Sequence, residues 1–451
     1  MRTLVVGAGE AGRTLTRALR GSPSYGLLPI GFIDDDPLLT KVGGLPVFGP
    51  IASLGAVASV QRADACVVAI PSLPATRLAR VVDAGRAAGL HVRYLPSFLA
   101  AVERDARLSD LRRLHMDSLL GRSEVRVASG RPAALIAGQR VLVTDAGGSI
   151  GSELCRQIHR FGPAKLYLLD HDESNLHRLQ LEITGSGLLQ GDDIIIADIR
   201  DQRRIHQVFE TVRPQLVFHA AAHKHLPLLE RHACEAVKSN VAGTQHLVEA
   251  AARVGTGRFV LISTDKAADP TSVLGATKRL AELVVQRAAD GPVKVASVRF
   301  GNVLGSRGSF LAVLADQIAR DEPVTVTHPD VTRFFMTVEE AVGLVLETAA
   351  MAEYAETFVL DMGEPVPIVS LVHNYASQLN LPNVEIRYTG LRPGEKLSEK
   401  VFSDRETRVP TAHPKIWATR CTPPVPDFDP LLDQLYAAAA DGDADYVKRL
   451  F

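Results

Sequence analysis

Short apolar runs separated by longer stretches of helical spacing open the chain. Thr3–Gly7, Pro29–Ile33, Ala65–Ile70 and His91–Leu95 read as strands, with a helix from about Ala11. Strands spaced by helices predict a parallel α/β sheet. From about Ala101 to Gln139 the pattern blurs into an arginine-rich connector with helical patches at Asp110–Leu114 and Leu119–Arg122. A second alternation follows in Arg140–Thr144, Lys165–Asp170, Asp193–Ala197, Leu216–His219, Arg258–Ile262 and Val293–Val298. These strands, with helices between them, predict a doubly wound sheet. Beyond residue 300, turn-rich segments such as Asp321–Val324 and Gly390–Gly394 indicate a smaller lobe, and the tail from about Pro426 reads as two short polar helices. The expected fold is α/β, with two tandem Rossmann-like, doubly wound parallel-sheet domains. They divide as residues 1–100, a linker 101–139, a catalytic domain 140–420 with a substrate lobe from about 301, and a helical tail 421–451.

At 451 residues, 46% of them hydrophobic, the chain has room for two or three well-filled cores. Lysine plus arginine (50) balances aspartate plus glutamate (51), so no global field recruits nucleic acid or an anionic membrane. Phosphate binding then has to be local. Cys66, Cys155, Cys234 and Cys421 are scattered without a C-x-x-C pair, which fits neither a disulfide framework nor a zinc site and suits a reducing cytoplasm. No apolar run approaches the ~20 residues that span a bilayer, and Met1 leads into a strand without the layout of a signal peptide. The expectation is a soluble, cytoplasmic protein.

Two glycine-rich loops follow strands and open helices. The first is Gly7-Ala-Gly9-Glu-Ala-Gly12, with Asp34, Asp35 and Asp36 about twenty residues on. Glycines there let a pyrophosphate approach the backbone, and an acidic residue at that distance holds a ribose hydroxyl. A vestigial pocket, or one for another nucleotide, explains the same residues equally well. The second is Thr144-Asp145-Ala-Gly147-Gly148-Ser-Ile-Gly151, with Asp170 ending the next strand. Gly147, Gly148, Gly151, the helix N-terminus and Asp170 point to a dinucleotide. Asp170 accepts from a 2′-hydroxyl and repels a 2′-phosphate, favouring NAD over NADP. Asp145 stands where a glycine is expected. Aspartate tolerates a positive φ better than most side chains, but its carboxylate lies near a negative pyrophosphate.

His219-Ala-Ala-Ala-His223-Lys224-His225 falls at the carboxyl end of a strand, where ligands bind in this architecture. Lys224 and His225 are placed to reach a substrate; three histidines without a carboxylate at fixed spacing line a pocket more readily than they hold a metal, and no metal is expected. Ser263-Thr264-Asp265-Lys266 ends the next strand. An acid and a base on adjacent residues serve opposite sides of an elimination when their surroundings keep one protonated and the other neutral; on its own, the pair reads more readily as a solvated ion pair, and the neighbouring motifs reverse that reading. Leu274 stands four residues before Lys278, where a tyrosine of a hydroxyl-to-lysine pair is expected.

Taken together, these residues resemble the UDP-N-acetylglucosamine 4,6-dehydratases, among the polysaccharide-biosynthesis epimerase/dehydratases of the extended short-chain dehydrogenase class. The resemblance spans nearly the whole chain. It rests on Gly7–Gly12, Gly31–Pro37, Gly147–Glu153, His219–Pro227, Ser263–Lys266, Gly275–Arg279, Arg299–Ser309, Val324–Asp330, Arg333–Thr337 and Gly390–Lys396. It implies a reaction that oxidises the sugar at C4 by hydride transfer to the nicotinamide, eliminates water across C5 and C6, and returns the hydride to C6. The cofactor is not consumed. It also implies Lys266 as the C5 base, Asp265 as the acid for the C6 hydroxyl, Thr264 near the C4 oxygen, and Lys278 on the nicotinamide ribose. Asp145, Gly147, Gly148, Ser149, Ile150, Gly151, Asp170, Asp198, Ile199, Ala220, Ala221 and Asn240 complete the implied NAD set. Lys224, His225, Asn302, Arg333, Arg392 and Glu395 fall on segments implied to hold a UDP-N-acetylhexosamine; an arginine pairs bidentately with a diphosphate.

The departures matter as much. Larger members resemble this chain in carrying methionine before the lysine, so Leu274 goes one step further from tyrosine. Tyrosine is absent between Tyr167 and Tyr354, so no neighbour in these motifs supplies a displaced phenol. The C4-oxygen proton then falls to Thr264 with Asp265, to Lys278 or to water. Asp269 and His223 stand where asparagine and an aromatic or aliphatic residue are commoner. Larger members begin with membrane-spanning helices, so this chain reads as a soluble relative or as part of a longer, membrane-associated one, and the family's habit implies a homo-oligomer. A C4 or C5 epimerase and a nucleotide-binding regulatory protein that has shed catalysis are the competing readings. Asp265 beside Lys266 speaks against simple epimerisation, which needs no leaving-group acid, while Asp145 and Leu274 speak for the regulatory protein.

Overall fold

The computed structural model describes residues 1–21, 27–70, 81, 84–85, 87–94, 130–186, 191–306, 309–320, 322–378, 384–419 and 427–451. The expected helical patches at Asp110–Leu114 and Leu119–Arg122 lie outside them. The chain divides into two compact units, Met1–His115 and Met116–Phe451.

In the first unit, β1 (Arg2–Val6), β2 (Leu28–Ile33), β3 (Ala65–Val68) and β4 (His91–Tyr94) form a parallel sheet in the order β2-β1-β3-β4, with α1 (Glu10–Gly21) and α2 (Leu54–Gln61) between strands. Alternation along β1 sends Val5 to one face and Leu4 and Val6 to the other, each into its own apolar cluster. A strand buried on both faces reads as a continuous apolar run, which is why this sheet is legible in the sequence.

The second unit begins with α3 (Gly130–Ile136), β5 (Arg140–Thr144), α4 (Ser149–Arg160), β6 (Lys165–Asp170), α5 (Glu173–Thr184), β7 (Ile194–Ile196), α6 (Gln202–Val212) and β8 (Leu216–His219). It continues with α7 (Gly243–Val254), β9 (Arg258–Ile262), α8 (Val273–Arg287), β10 (Lys294–Arg299), α9 (Val338–Met351), β11 (Thr357–Leu360), β12 (Arg408–Pro410) and β13 (Ile416–Thr419). The sheet runs β7-β6-β5-β8-β9-β10-β11-β13-β12, parallel except for β13, which is antiparallel to both of its neighbours. Strand order reverses between β5 and β8, the place where open α/β sheets bind ligands. Val141 and Val143 pack under α4, α5 and α9, while Leu142 packs under α6, α7 and α8, so both faces are covered.

Two expectations change here. Residues 130–136 are not linker: Ile136 is fully buried in the main core of the second unit, which draws α3 into that unit. Nor do residues 301–420 form one lobe. The buried helix α9 and strands β11, β12 and β13 return to the main sheet, leaving short two-stranded ladders such as Asn302–Leu304 with Phe335–Thr337 and Thr332–Arg333 with Val366–Pro367 outside it. The tail forms α10 (Phe428–Asp441) and α11 (Ala444–Leu450), and its Leu435, Ala438 and Val447 are buried with Leu229, Val273 and Leu274. Among the described residues, no helix is long and apolar enough to cross a membrane.

Candidate active site

The two glycine loops are built alike. Asp34 accepts the Ala8 N–H on Oδ2 at 2.6 Å and the Asp36 N–H on Oδ1 at 2.9 Å. Asp170 accepts the Gly147 N–H on Oδ2 at 2.9 Å and the Asp172 N–H on Oδ1 at 3.0 Å. In each unit the acid at the end of the second strand thus braces the loop after the first. A Cβ on Gly151 would collide with the Asp145 carbonyl, just as one on Gly12 would collide with that of Gly7, so each last glycine lets its helix start directly beneath the loop. Gly9 meets no such obstacle. Asp145 takes the left-handed conformation, φ 52°, that Gly7 supplies at the matching position with φ 103°. Its carboxylate lies where a Cβ on Gly148 would project.

Loops after neighbouring strands gather round this point. His219 bridges Thr144 and Thr244, both at 2.9 Å, and burial, then the Lys278 charge, depress it to about 3, so it is a neutral strut. The Ala220 and Ala221 N–H groups donate to the Thr144 hydroxyl. Asn240 lies in a π-helical turn, Val237–Ala242, a distortion frequent at functional sites. Its amide accepts the His223 N–H at 2.8 Å and donates to the His223 carbonyl and the Thr277 hydroxyl. Ile199 packs beneath Gly243, and the exposed Asp198 carboxylate is gripped by Arg200 at 2.6 Å. Ser149 and Ile150 form the first turn of α4.

At the carboxyl end of β9, Asp265 is fully buried. Its Oδ1 accepts from the Thr264 hydroxyl at 2.9 Å and from Lys266 Nζ at 3.0 Å, while its Oδ2 is buried without a hydrogen-bond partner. Burial pulls the Lys266 ammonium down, but Asp265 and Glu399 outweigh it and hold the group above the ordinary lysine range. Lys278 donates to the Ile262 carbonyl at 2.6 Å; burial brings it down to about 8 against the opposing charge of Glu282. Leu274 is buried in the apolar cluster shared with α10 and α11.

A charged network fixes these parts from below. Arg299, fully buried, grips Glu282 through Nε and a terminal nitrogen, both at 2.7 Å, and reaches Glu406 at 2.7 and 2.8 Å. Ser263 donates to Glu282 at 2.6 Å, and Arg279 reaches both glutamates. The helix carrying Lys278 is thereby tied to the residue that precedes Thr264.

The segment 390–400 approaches from the other side. Arg333 meets Glu395 at 3.3 Å, Lys396 meets Asp269 at 3.0 Å, and Glu399 lies 3.7 Å from Lys266. Arg392 is exposed, its backbone N–H donating to Glu395, and the Asn302 N–H donates to the Phe334 carbonyl. Lys224 and His225 line a cavity of about 250 Å³ with His223, Leu228, Leu229, His232 and Glu235. Glu399, Glu282 and Arg299 escaped functional assignment from sequence. The acidic Glu399 three residues beyond Lys396 was the available signal, and nothing local separates Glu282 or Arg299 from ordinary helix and strand charges.

A parallel sheet that reverses order beside a glycine loop, with Asp265 and Lys266 in the turn after β9 and Lys278 on the helix that follows, is the arrangement of the extended short-chain dehydrogenase class. Residues 141–420 match the family described as "Polysaccharide biosynthesis protein", and the chain belongs to it. It is 40% identical over 424 residues to the probable polysaccharide biosynthesis protein EpsC of Bacillus subtilis, taking in 92% of this chain and 70% of that one. It is 30% identical over 280 residues to the UDP-N-acetylglucosamine 4,6-dehydratase (inverting) of Campylobacter jejuni, 60% of this chain and 80% of that one. The X-ray structure of Pen from Bacillus thuringiensis, 30% identical, matches with a TM-score of 0.57 over 63% of this chain and 88% of that one.

Proposed function

We propose that the second unit is an NAD-dependent nucleotide-sugar 4,6-dehydratase acting on UDP-N-acetylglucosamine. The observation that carries this reading is the buried Asp265, joined to Lys266 at 3.0 Å and leaving one carboxylate oxygen without a partner. NAD fits the braced loop of Gly147, Gly148 and Gly151 and the first turn of α4, whose N–H groups suit a pyrophosphate, with Asp170 for the ribose, Asn240 supporting the wall and Lys278 beneath the nicotinamide end. When bound, the nicotinamide supplies the transient oxidation at C4 that acidifies the C5 proton.

The chain's own residues then complete the elimination. A proton shift along the Asp265–Lys266 hydrogen bond gives a neutral amine and a carboxylic acid, the forms an elimination uses. Lys266 takes the C5 proton as its bonding pair becomes the C5–C6 π bond. Asp265 protonates the C6 oxygen as it leaves as water. The pair ends as it began, ammonium beside carboxylate. Thr264, tied to Asp265, offers the hydroxyl nearest this pair in the absence of a phenol, and Arg333 and Arg392 supply charge for the diphosphate.

Incubation of the protein with NAD and UDP-N-acetylglucosamine, followed by NMR, is expected to yield a 4-keto-6-deoxy sugar. Asp265→Asn is expected to lower its rate at least ~100-fold, the scale of general acid–base catalysis. Retention of the C6 oxygen with inversion at a ring carbon would favour an epimerase, and tight binding without turnover a protein that has shed catalysis.

A further inference from the structure

Lys266 is shared by two carboxylates. Asp265 is its neighbour in sequence; Glu399 comes from the segment 390–400 and places Oε1 3.7 Å from Nζ. The Glu399 side chain is only 4% exposed, and a buried carboxylate is costly unless a positive group answers it. Lys266 is the cation paired with it here. Arg333 faces Lys266 as well, and its charge opposes that of the two acids. The segment is held against the site by backbone as well as charge: the Thr332 N–H donates to the Leu397 carbonyl at 2.8 Å, and Arg333 reaches the same carbonyl at 3.2 Å.

We infer that Glu399 is a positioning residue of the proton-transfer centre: its carboxylate holds Lys266 beside Asp265 and strengthens it as the base. The inference rests on the dehydratase reading for what the base does, but not for which groups face it. With Asp265, Glu399 and Lys266 together, the elimination needs no proton from outside. The centre holds the same number of protons before and after, because Lys266 gains one as Asp265 loses one. The negative charge of Glu399 favours the ammonium that forms when the C5 proton is taken. A bland alternative, in which Glu399 merely anchors its segment, predicts no change in how Lys266 titrates.

The test reads Lys266 directly. The pH dependence of acetic anhydride labelling at Lys266, followed by peptide mass spectrometry on the full chain, gives its midpoint without substrate. Glu399→Gln is expected to move that midpoint down by about one pH unit, the effect of losing an opposite charge at this range. Glu399→Asp, which keeps the charge on a shorter stem, is expected to give an intermediate value and serves should the glutamine variant not fold. With UDP-N-acetylglucosamine, the limb of the rate profile that reports the base is expected to shift the same way in Glu399→Gln, with a lower plateau and slower deuterium wash-in at C5. An unshifted labelling midpoint in a folded variant overturns the proposal. A wild-type protein that makes no product instead overturns the dehydratase reading, and the labelling still decides the role of Glu399.

Discussion

Asp145 takes a backbone conformation, φ 52°, that costs a non-glycine residue about 1 kcal/mol, and it spends its carboxylate over the Gly148 backbone. Replacing it with glycine relieves the first cost but adds freedom to the unfolded chain, worth roughly 0.5–1 kcal/mol. The two nearly cancel, so Asp145→Gly is expected to leave the unfolding midpoint within a small margin of the parent. Cofactor affinity should respond more strongly. Removing one negative charge from a pyrophosphate cradle is expected to tighten NAD binding about tenfold, a change of about 1.4 kcal/mol. Calorimetric titration of both proteins with NAD checks this, and equal dissociation constants would mean that the carboxylate does not face the phosphates.

Between elements, the Arg299–Glu282–Glu406 network does what no single hydrogen bond could. It joins β10, α8 and the segment around Glu406, and through Ser263 it reaches the end of β9. Glu282→Gln leaves Arg299 buried with one carboxylate fewer, and breaking a buried pair from one side costs about 3–5 kcal/mol. Urea unfolding should show a loss of that size, accompanied by weaker activity because α8 carries Lys278. This network was illegible in the sequence because its members are far apart and each looks like an ordinary surface charge. The parallel strands were legible for the opposite reason: β5, β6, β8 and β9 are apolar runs buried on both faces, ending where the sequence reading placed them. Strands β11, β12 and β13 were missed, since they are short, lie among turns, and pair only because β10 offers an open edge. At the site, Asp265 and Lys266 could be singled out because they are adjacent; Glu399 could not, because only folding brings it to them.

Across the whole molecule, the same loop-and-acid brace occurs once in each unit, in Asp34 with Ala8 and in Asp170 with Gly147. In the second unit it is joined by buried ionisable side chains at the ends of successive strands, His219 ending β8, the neighbour of β5, and Asp265 after β9. The tail, which reads from sequence as two short polar helices, packs beside the Lys278 helix, with Leu435 almost fully buried. Leu435→Ala is expected to cost about 2–5 kcal/mol, read as a lowered melting temperature, and to loosen Lys278 in hydrogen exchange. The same packing reaches position 274. Leu274 shares its apolar cluster with Leu435, Ala438 and Val447, so a phenol placed there would need room and a hydroxyl partner that these neighbours do not offer. Leu274→Tyr alone is therefore not expected to supply a catalytic phenol: α10 and α11 pack over position 274, and the tail would have to be repacked to seat the ring.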